Sequence, residues 1–150
     1  MTPLIRNATL KDADIIAQFN IAMALETENK ILEPAIILAG VRSLFAQPHA
    51  GFYLIAEMDN EVVGSLMITT EWSDWRNGLF WWIQSVYIQP AYRRKGIYGM
   101  LYKRVKLMAQ EHPDVCGFRL YVEKDNWIAQ KTYTKLGMQP THYLIFEEEC

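Results

Sequence analysis

The segment LFWWIQSVYIQ, residues 79–89, constrains the chain most: it is apolar almost without a break and is closed by Pro90. A half-exposed strand would alternate apolar and polar residues, whereas a near-continuous apolar run needs cover on both faces. This run therefore reads as the central strand of a sheet with helices on either side. The next segment is equally specific. PAYRRKGIYGML (90–101) passes through three consecutive cations and two glycines. From about Gly96 the apolar positions Ile97, Leu101, Val105 and Met108 fall at helical spacing, with Lys103, Arg104 and Lys106 on the wet side.

The rest of the chain supplies elements to surround that strand. PLIRNA (3–8) reads as a short strand. Thr9 and Asp12 then form a capping-box-like start to a helix with Ile15, Phe19 and Met23 on one face, ending in ETEN. Pro34 suits the first turn of a second helix that carries Ile37, Leu38, Val41, Leu44 and Phe45. FYLIAEM and EVVGSLMITTEW read as antiparallel strands joined at Asp59 and Asn60, a pair that tolerates left-handed backbone. After the basic helix come a strand GFRLYVE (117–123), a helix NWIAQKTYTKLG (126–137) begun by Asn126 and stopped by Gly137, and a last strand PTHYLIFEE. The expected class is α/β, a mixed, mostly antiparallel twisted sheet flanked by helices in the order β-α-α-β-β-β-α-β-α-β. With 150 residues and no repeat or linker, a single domain over 1–150 is expected.

Composition removes several functions. Fifteen Lys and Arg stand against 17 Asp and Glu, and the isoelectric point is near 5.9, so no global field would hold nucleic acid or an anionic membrane. No uninterrupted apolar run reaches the roughly 18 residues of a membrane span, and the start lacks a signal-peptide pattern. Two cysteines, Cys116 and Cys150, are too few for a disulfide framework, which favours a cytoplasmic setting. His49, His112 and His142 form no ligand spacing, so no metal is expected.

The basic loop is a candidate anion site, because the first turn of a helix leaves N–H donors unpaired and its dipole favours negative charge. Gly96 and Gly99 satisfy neither G-x-x-x-x-G-K-[ST] nor G-x-G-x-x-G, which argues against ATP and NAD. VYIQPAYRRKGIYGMLY instead resembles the strand, loop and helix that bind acyl-CoA in the GNAT superfamily of N-acetyltransferases, with signature [QR]-x-x-G-x-[GA]. Arg93 to Ile97 fit; Tyr98 stands where the family has Gly or Ala, with Gly99 one place later. RLYVEKDNWIAQKTYTKLGM is similar to the family's second conserved block, and the element order matches across essentially the whole chain. The resemblance implies acetyl-CoA as cosubstrate. Val86, Tyr87 and Ile88 would pair with the pantetheine arm like an added strand. Amides from Arg94 to Gly99, in a loop that includes Arg93, Lys95, Ile97 and Tyr98, would hold the pyrophosphate. Asn126 would contact the cofactor, and Tyr133 would lie near its sulfur. The central strand and its neighbour, WWIQSVYI and FRLYVE, would splay apart to form the cleft.

Acetyl transfer to an amine needs a neutral nucleophile, and an alkyl ammonium of pKa about 10.4 is only about one part in a thousand neutral at pH 7. Relatives resembling spermidine/spermine acetyltransferase often place a carboxylate on the central strand; here Gln84 and Ser85 occupy those positions. The substitutes are Glu26 and Glu28, the preferred pair, then Glu123 and Asp74, with a water chain as the alternative. Tyr133, with an ordinary pKa near 10, stays protonated and would donate to the departing sulfur. A main-chain N–H around Val86 to Ile88 would stabilise the oxyanion. Cys116, set before a strand without a nearby His, reads as a buried or turn cysteine rather than a nucleophile. Trp72, Trp75, Trp81 and Trp82 with Glu71 and Asp74 would form an aromatic, acidic rim for a cationic amine, or equally a dimer contact. The expected activity is N-acetylation of a small cationic or amino-acid-like acceptor. The competing readings are an acyl-CoA-binding module without turnover, acetylation of a protein amine, and nucleic-acid binding, which the acidic balance disfavours. Aromatic content and the resemblance both point to a homodimer.

Overall fold

The computed structural model of the protein describes residues 2–150. It contains β1 (Leu4–Asn7), α1 (Ala13–Glu28), α2 (Pro34–Phe45), β2 (Gly51–Met58), β3 (Glu61–Ser73), β4 (Gly78–Ile88), α3 (Ile97–Gln110), β5 (Val115–Arg119) and α4 (Trp127–Lys135). The chain forms two compact units, one ending at Leu120 and one spanning Tyr121–Cys150.

The first unit is built on a five-stranded sheet of order β1-β2-β3-β4-β5, antiparallel except for the parallel β4–β5 pair. Asp59 and Asn60 both take positive φ, 54° and 62°, the backbone that a two-residue turn between twisted strands requires. α1 and α2 cover one sheet face, where Ala13, Ile16, Ala17 and Val41 pack on Tyr53 and Ile55. α3 covers the other, where Tyr102 meets Phe118, which meets Trp81, which meets Phe52. Phe80, Trp81, Ile83 and Tyr87 of β4 are buried, as a strand covered on both faces should be.

Several element details differ from the sequence reading. Thr9 and Asp12 do form a capping box, but a single 3-10 turn, Leu10–Asp12, precedes α1. The buried stripe of α1 is Ala13, Ile16, Ala17, Phe19, Asn20 and Ala24 rather than Ile15, Phe19 and Met23. Small alanines let α1 approach the sheet closely, and this rotates the larger Ile15 and Met23 toward its flanks. In the second unit Asn126 caps α4, its side chain accepting from the Ala129 N–H at 3.1 Å, and Gly137 takes φ 104° just beyond the helix. The expected last strand, PTHYLIFEE, is not a strand among the described residues. A β-rich sequence becomes a strand only when a neighbour accepts its ladder. Here Tyr143, Leu144, Ile145 and Phe146 stand exposed.

Candidate active site

β4 carries the central irregularity. Ser65 of β3 pairs Tyr87 and Met67 pairs Gln84, so Ser85 and Val86 together oppose Leu66 alone. This is a β-bulge, and Ser85 sits at φ 52°, a left-handed conformation that costs a residue with a Cβ roughly 1 kcal/mol or more. Such strain inside a central strand marks a place where backbone groups are turned away from the ladder for another use. No residue type in the sequence announced it; the only trace was the polar pair Gln84–Ser85 interrupting the apolar run.

On its other side β4 loses its neighbour. The parallel ladder runs Leu79↔Val115, Phe80↔Gly117, Trp81↔Phe118 and Trp82↔Arg119 and stops there, where β5 itself ends. The expected strand 117–123 thus starts earlier and finishes at Arg119. β4 continues six residues further, through Val86, Tyr87 and Ile88, with its β5-side backbone groups outside any ladder among the described residues. An extended arm of amide groups fits that edge, since it can pair with exposed strand N–H and C=O groups.

Beyond β4, a short 3-10 turn at Pro90–Tyr92 leads to the basic loop. Arg94 (φ 63°) and Gly96 (φ 77°) both take left-handed backbone, and α3 starts at Ile97, its first helical bond running from the Met100 N–H to Gly96 C=O. Left-handed residues just before a helix start turn successive N–H groups into a concavity suited to an anion. Nothing lies within 4 Å of where a Cβ of Gly96 would be, so its glycine serves the positive φ. Tyr98, in the slot of the usual Gly or Ala, turns onto Tyr102 as a stacked pair with centroids 6.3 Å apart. The strand edge and the loop together fit a cofactor with an amide arm and a pyrophosphate.

The cations of the loop divide. Arg94 and Lys95 are exposed, Lys95 Nζ lying 5.4 Å from the Tyr92 ring centre. Arg93 points back instead: its Nε donates to Ile88 O at 2.8 Å and its Nη2 to Glu26 Oε2 at 2.8 Å. Tyr87 Oη donates to the other oxygen of Glu26 at 3.1 Å, and the Tyr87 ring packs on Phe19. Burial, then the neighbouring Glu26, hold the Tyr87 hydroxyl above its ordinary pKa. Glu26 therefore braces the end of α1 to the end of β4. Glu28, the last residue of α1, is exposed and makes no ion pair among the described residues. Gln84 Nε2 donates to Thr69 Oγ1 at 2.8 Å.

Tyr133 lies on α4 in the second unit with Asn126. Burial pushes its hydroxyl above the ordinary value of 10.0, so it is protonated across the neutral range. Asn126 spends its Oδ1 on the helix cap and keeps its amide donors for another contact.

The expected aromatic rim comes apart. Trp81 turns to the α3 face and is buried against Phe52, His112 and Phe118, whereas Trp72 and Trp75 are exposed. Consecutive strand residues face opposite ways, so Trp81 and Trp82 could not share a rim. Trp82 donates its Nε1–H to Glu71 Oε1 at 2.9 Å, and Arg119 Nη1 donates to the same oxygen at 2.9 Å. Glu71 is thus already neutralised by a cation from β5, a pairing that only the strand register brings about. Cys116 lies within β5 and is exposed, not buried or in a turn. Among the described residues no three His, Cys, Asp or Glu gather as a metal site, and no helix is long and apolar enough to cross a membrane.

Comparison with known proteins agrees with this geometry. The chain matches the Acetyltransferase (GNAT) family over residues 19–138. The crystal structure of a possible acetyltransferase from Clostridium difficile 630 is 42% identical, covering 100% of this chain and 99% of that one with a TM-score of 0.92. A predicted acetyltransferase with acetyl-CoA from Clostridium acetobutylicum is 20% identical, with 98% and 96% covered and a TM-score of 0.82. The aminoglycoside antibiotic 6'-N-acetyltransferase from Acinetobacter baumannii is 18% identical, with 99% of each chain covered and a TM-score of 0.75. The latter two share the fold. Among curated proteins there is no sequence match.

Proposed function

The chain belongs to the GNAT acetyltransferase family, as an N-acetyltransferase that uses acetyl-CoA, and on that premise we propose that it acetylates the primary amine of a small cationic or amino-acid-like acceptor by direct attack. The observation that carries this reading is the end of the β4–β5 ladder at Trp82 and Arg119 beside the bulge at Ser85. Acetyl-CoA, when bound, supplies the activated acetyl group. Val86 to Ile88 hold its arm along the free edge of β4, and the amides from Arg94 to Gly99 take the pyrophosphate, with Lys95 and Arg94 adding positive charge. Arg93 contributes by fixing the loop to α1 through Glu26.

A main-chain N–H of the strand after the bulge stabilises the negative charge that develops on the carbonyl oxygen, because a strand held in a rigid sheet presents its donor without reorganisation. Glu28 takes the proton from the incoming ammonium, with Glu26 positioning the end of α1. Tyr133 gives its hydroxyl proton to the departing thiolate and is restored by the second proton that the acylated nitrogen sheds, and Asn126 contacts the cofactor. Both assignments rest on family membership and on the protonated state of Tyr133. On this reading residues 1–150 make a single GNAT domain, supplied from cytoplasmic acetyl-CoA, a setting that two free thiols also suit. Exposed Leu144, Ile145 and Phe146 support a homodimer, which sedimentation would register as a species of twice the chain mass.

The pH dependence of turnover tests the chemistry. Glu28→Gln should lower kcat and change the profile; a profile and kcat like wild type would take the proton-accepting role from Glu28. Initial-rate lines that intersect agree with direct attack, whereas parallel lines would mean that an acetyl-enzyme forms first.

A further inference from the structure

We infer that the side-chain carbonyl of Gln84 accepts an N–H of the attacking amine, so that a neutral amide, in the place of a carboxylate, orients the nucleophile at the thioester. The inference rests on the acetyltransferase reading above and adds a residue to its acceptor site.

Register places Gln84 on the face of the sheet that α1 and α2 cover. Its partner across the ladder is Met67, which packs against the core beneath those helices. Directly opposed residues share a face. Tyr87 packs its ring on Phe19 of α1, so it lies on that face as well. An unbroken strand would send residues 84 and 87 to opposite faces; the extra residue of the bulge brings them to one. Gln84 and Tyr87 are therefore successive side chains on the α1 face, about 7 Å apart at the usual rise, and the turned backbone of Ser85 and Val86 lies between them.

The amide of Gln84 is held by one end. Its Nε2 donates to Thr69 Oγ1 at 2.8 Å, and Thr69 pairs with Trp82, two residues before Gln84. The nitrogen is thus turned toward β3 and away from Ser85. The two ends of a planar amide diverge, so Oε1 is turned toward the bulge and the side on which β5 has stopped. It accepts no hydrogen bond among the described residues, and the side chain is half-buried. The carboxylates on this face are already committed, Glu26 to Arg93 and Glu71 to Arg119. Oε1 keeps its full accepting capacity beside the bulge.

The chemistry favours an amide here. As the C–N bond forms, the nitrogen gains positive charge, so an N–H bond to Oε1 strengthens in the transition state, which is the condition for raising kcat. Gln84 takes no proton; the first goes to Glu28 and the second restores Tyr133. A carboxylate at the same point would hold the ammonium form and raise its pKa, leaving less of the neutral nucleophile.

Turnover with a panel of amino acids, diamines and aminoglycosides separates the outcomes. Gln84→Met, of similar length but without the carbonyl, should lower kcat about tenfold, the value of one charge-assisted bond, with amine KM little changed. Thr69→Val removes only the tie and should lower kcat less. If Gln84 were no more than a cross-strand tie, both variants would lose activity equally and in step with their stability in urea, and the inference would fall. Gln84→Glu should lower amine KM at pH 7 and move the rise of kcat with pH upward, since the ammonium it holds is harder to deprotonate; a KM and profile like wild type would overturn the inference. The carbon-13 signal of the Gln84 side-chain carbonyl, assigned by its loss in Gln84→Met, reads the contact without turnover. With CoA bound and each amine of the panel titrated in, a saturable shift upholds the contact even if no amine is acetylated, in which case only the acetylation reading falls; a signal that no amine moves overturns the inference.

Discussion

Ser85 shows how much a single residue can carry without any side-chain chemistry. Its φ of 52° is tolerable for serine and poorly so for a β-branched residue, whose Cβ substituents crowd the backbone in the left-handed region. Ser85→Val should therefore destabilise the protein by about 1–3 kcal/mol in urea unfolding and cost more activity than that loss explains, whereas Ser85→Gly should keep both. Equal behaviour of the two variants would mean that the bulge is not needed. Tyr133 acts through its proton. Because burial holds its hydroxyl above 10.0, the wild-type rate should show no alkaline loss of this acid below about pH 10. Tyr133→Phe should lower kcat at least about tenfold with acetyl-CoA affinity nearly unchanged; a rate like wild type would end the acid role. The tyrosine could be proposed from the sequence because its motif is local. The bulge was not, since backbone dihedrals depend on how β3 and β4 pair rather than on the letters Gln84 and Ser85.

At the scale of elements, two charged braces hold the helical layer to the sheet. Arg6 of β1 bonds both oxygens of Asp12, at 3.0 and 3.1 Å, and Glu57 of β2 at 2.6 Å, while the Thr9 N–H donates to Asp12 at 2.7 Å. Burial alone would raise the pKa of Asp12; the bonds from Arg6 and Thr9 outweigh it, and the carboxyl lies below its ordinary value of 3.8. A folded-state pKa below the unfolded one contributes stability above about pH 4, and that contribution is lost as pH falls through the lower folded value. Asp12→Asn should thus be less stable by on the order of 2 kcal/mol at pH 7, with the gap to wild type closing in acid. A gap independent of pH would show that the charge is not what matters. The second brace joins α1 to the loop after β4 through Glu26 and Arg93, each about two-fifths exposed, so its thermodynamic worth is at most about 1 kcal/mol. Its value is geometric, because it sets the end of α1 where Glu28 projects. Helices, hairpin and caps were legible in periodicity and turn residues. The face of α1, the limit of β5, and the pairings Glu26–Arg93 and Glu71–Arg119 were not, because each depends on packing or register between segments distant in sequence, 67 and 48 residues apart for the two pairings. The tail from Pro140 misled for the same reason, as its β-forming residues meet no ladder among the described residues.

For the whole molecule, one sheet supplies nearly every part of the proposed site: the edge of β4 for the arm, the loop before α3 for the pyrophosphate, and Gln84 beside the bulge for the acceptor amine. The basic loop that looked like a general anion site has a narrower use here, with Arg94 and Gly96 shaping the backbone while Arg93 serves as a tie. The central claim is turnover with acetyl-CoA at this site, and stoichiometry measures it most directly. Incubated with acetyl-CoA and an amine panel spanning amino acids, diamines and aminoglycosides, the protein should release one thiol for each N-acetyl group formed. Acetyl-CoA binding with no amine-dependent release on any acceptor, from neutral to alkaline pH, would contradict it.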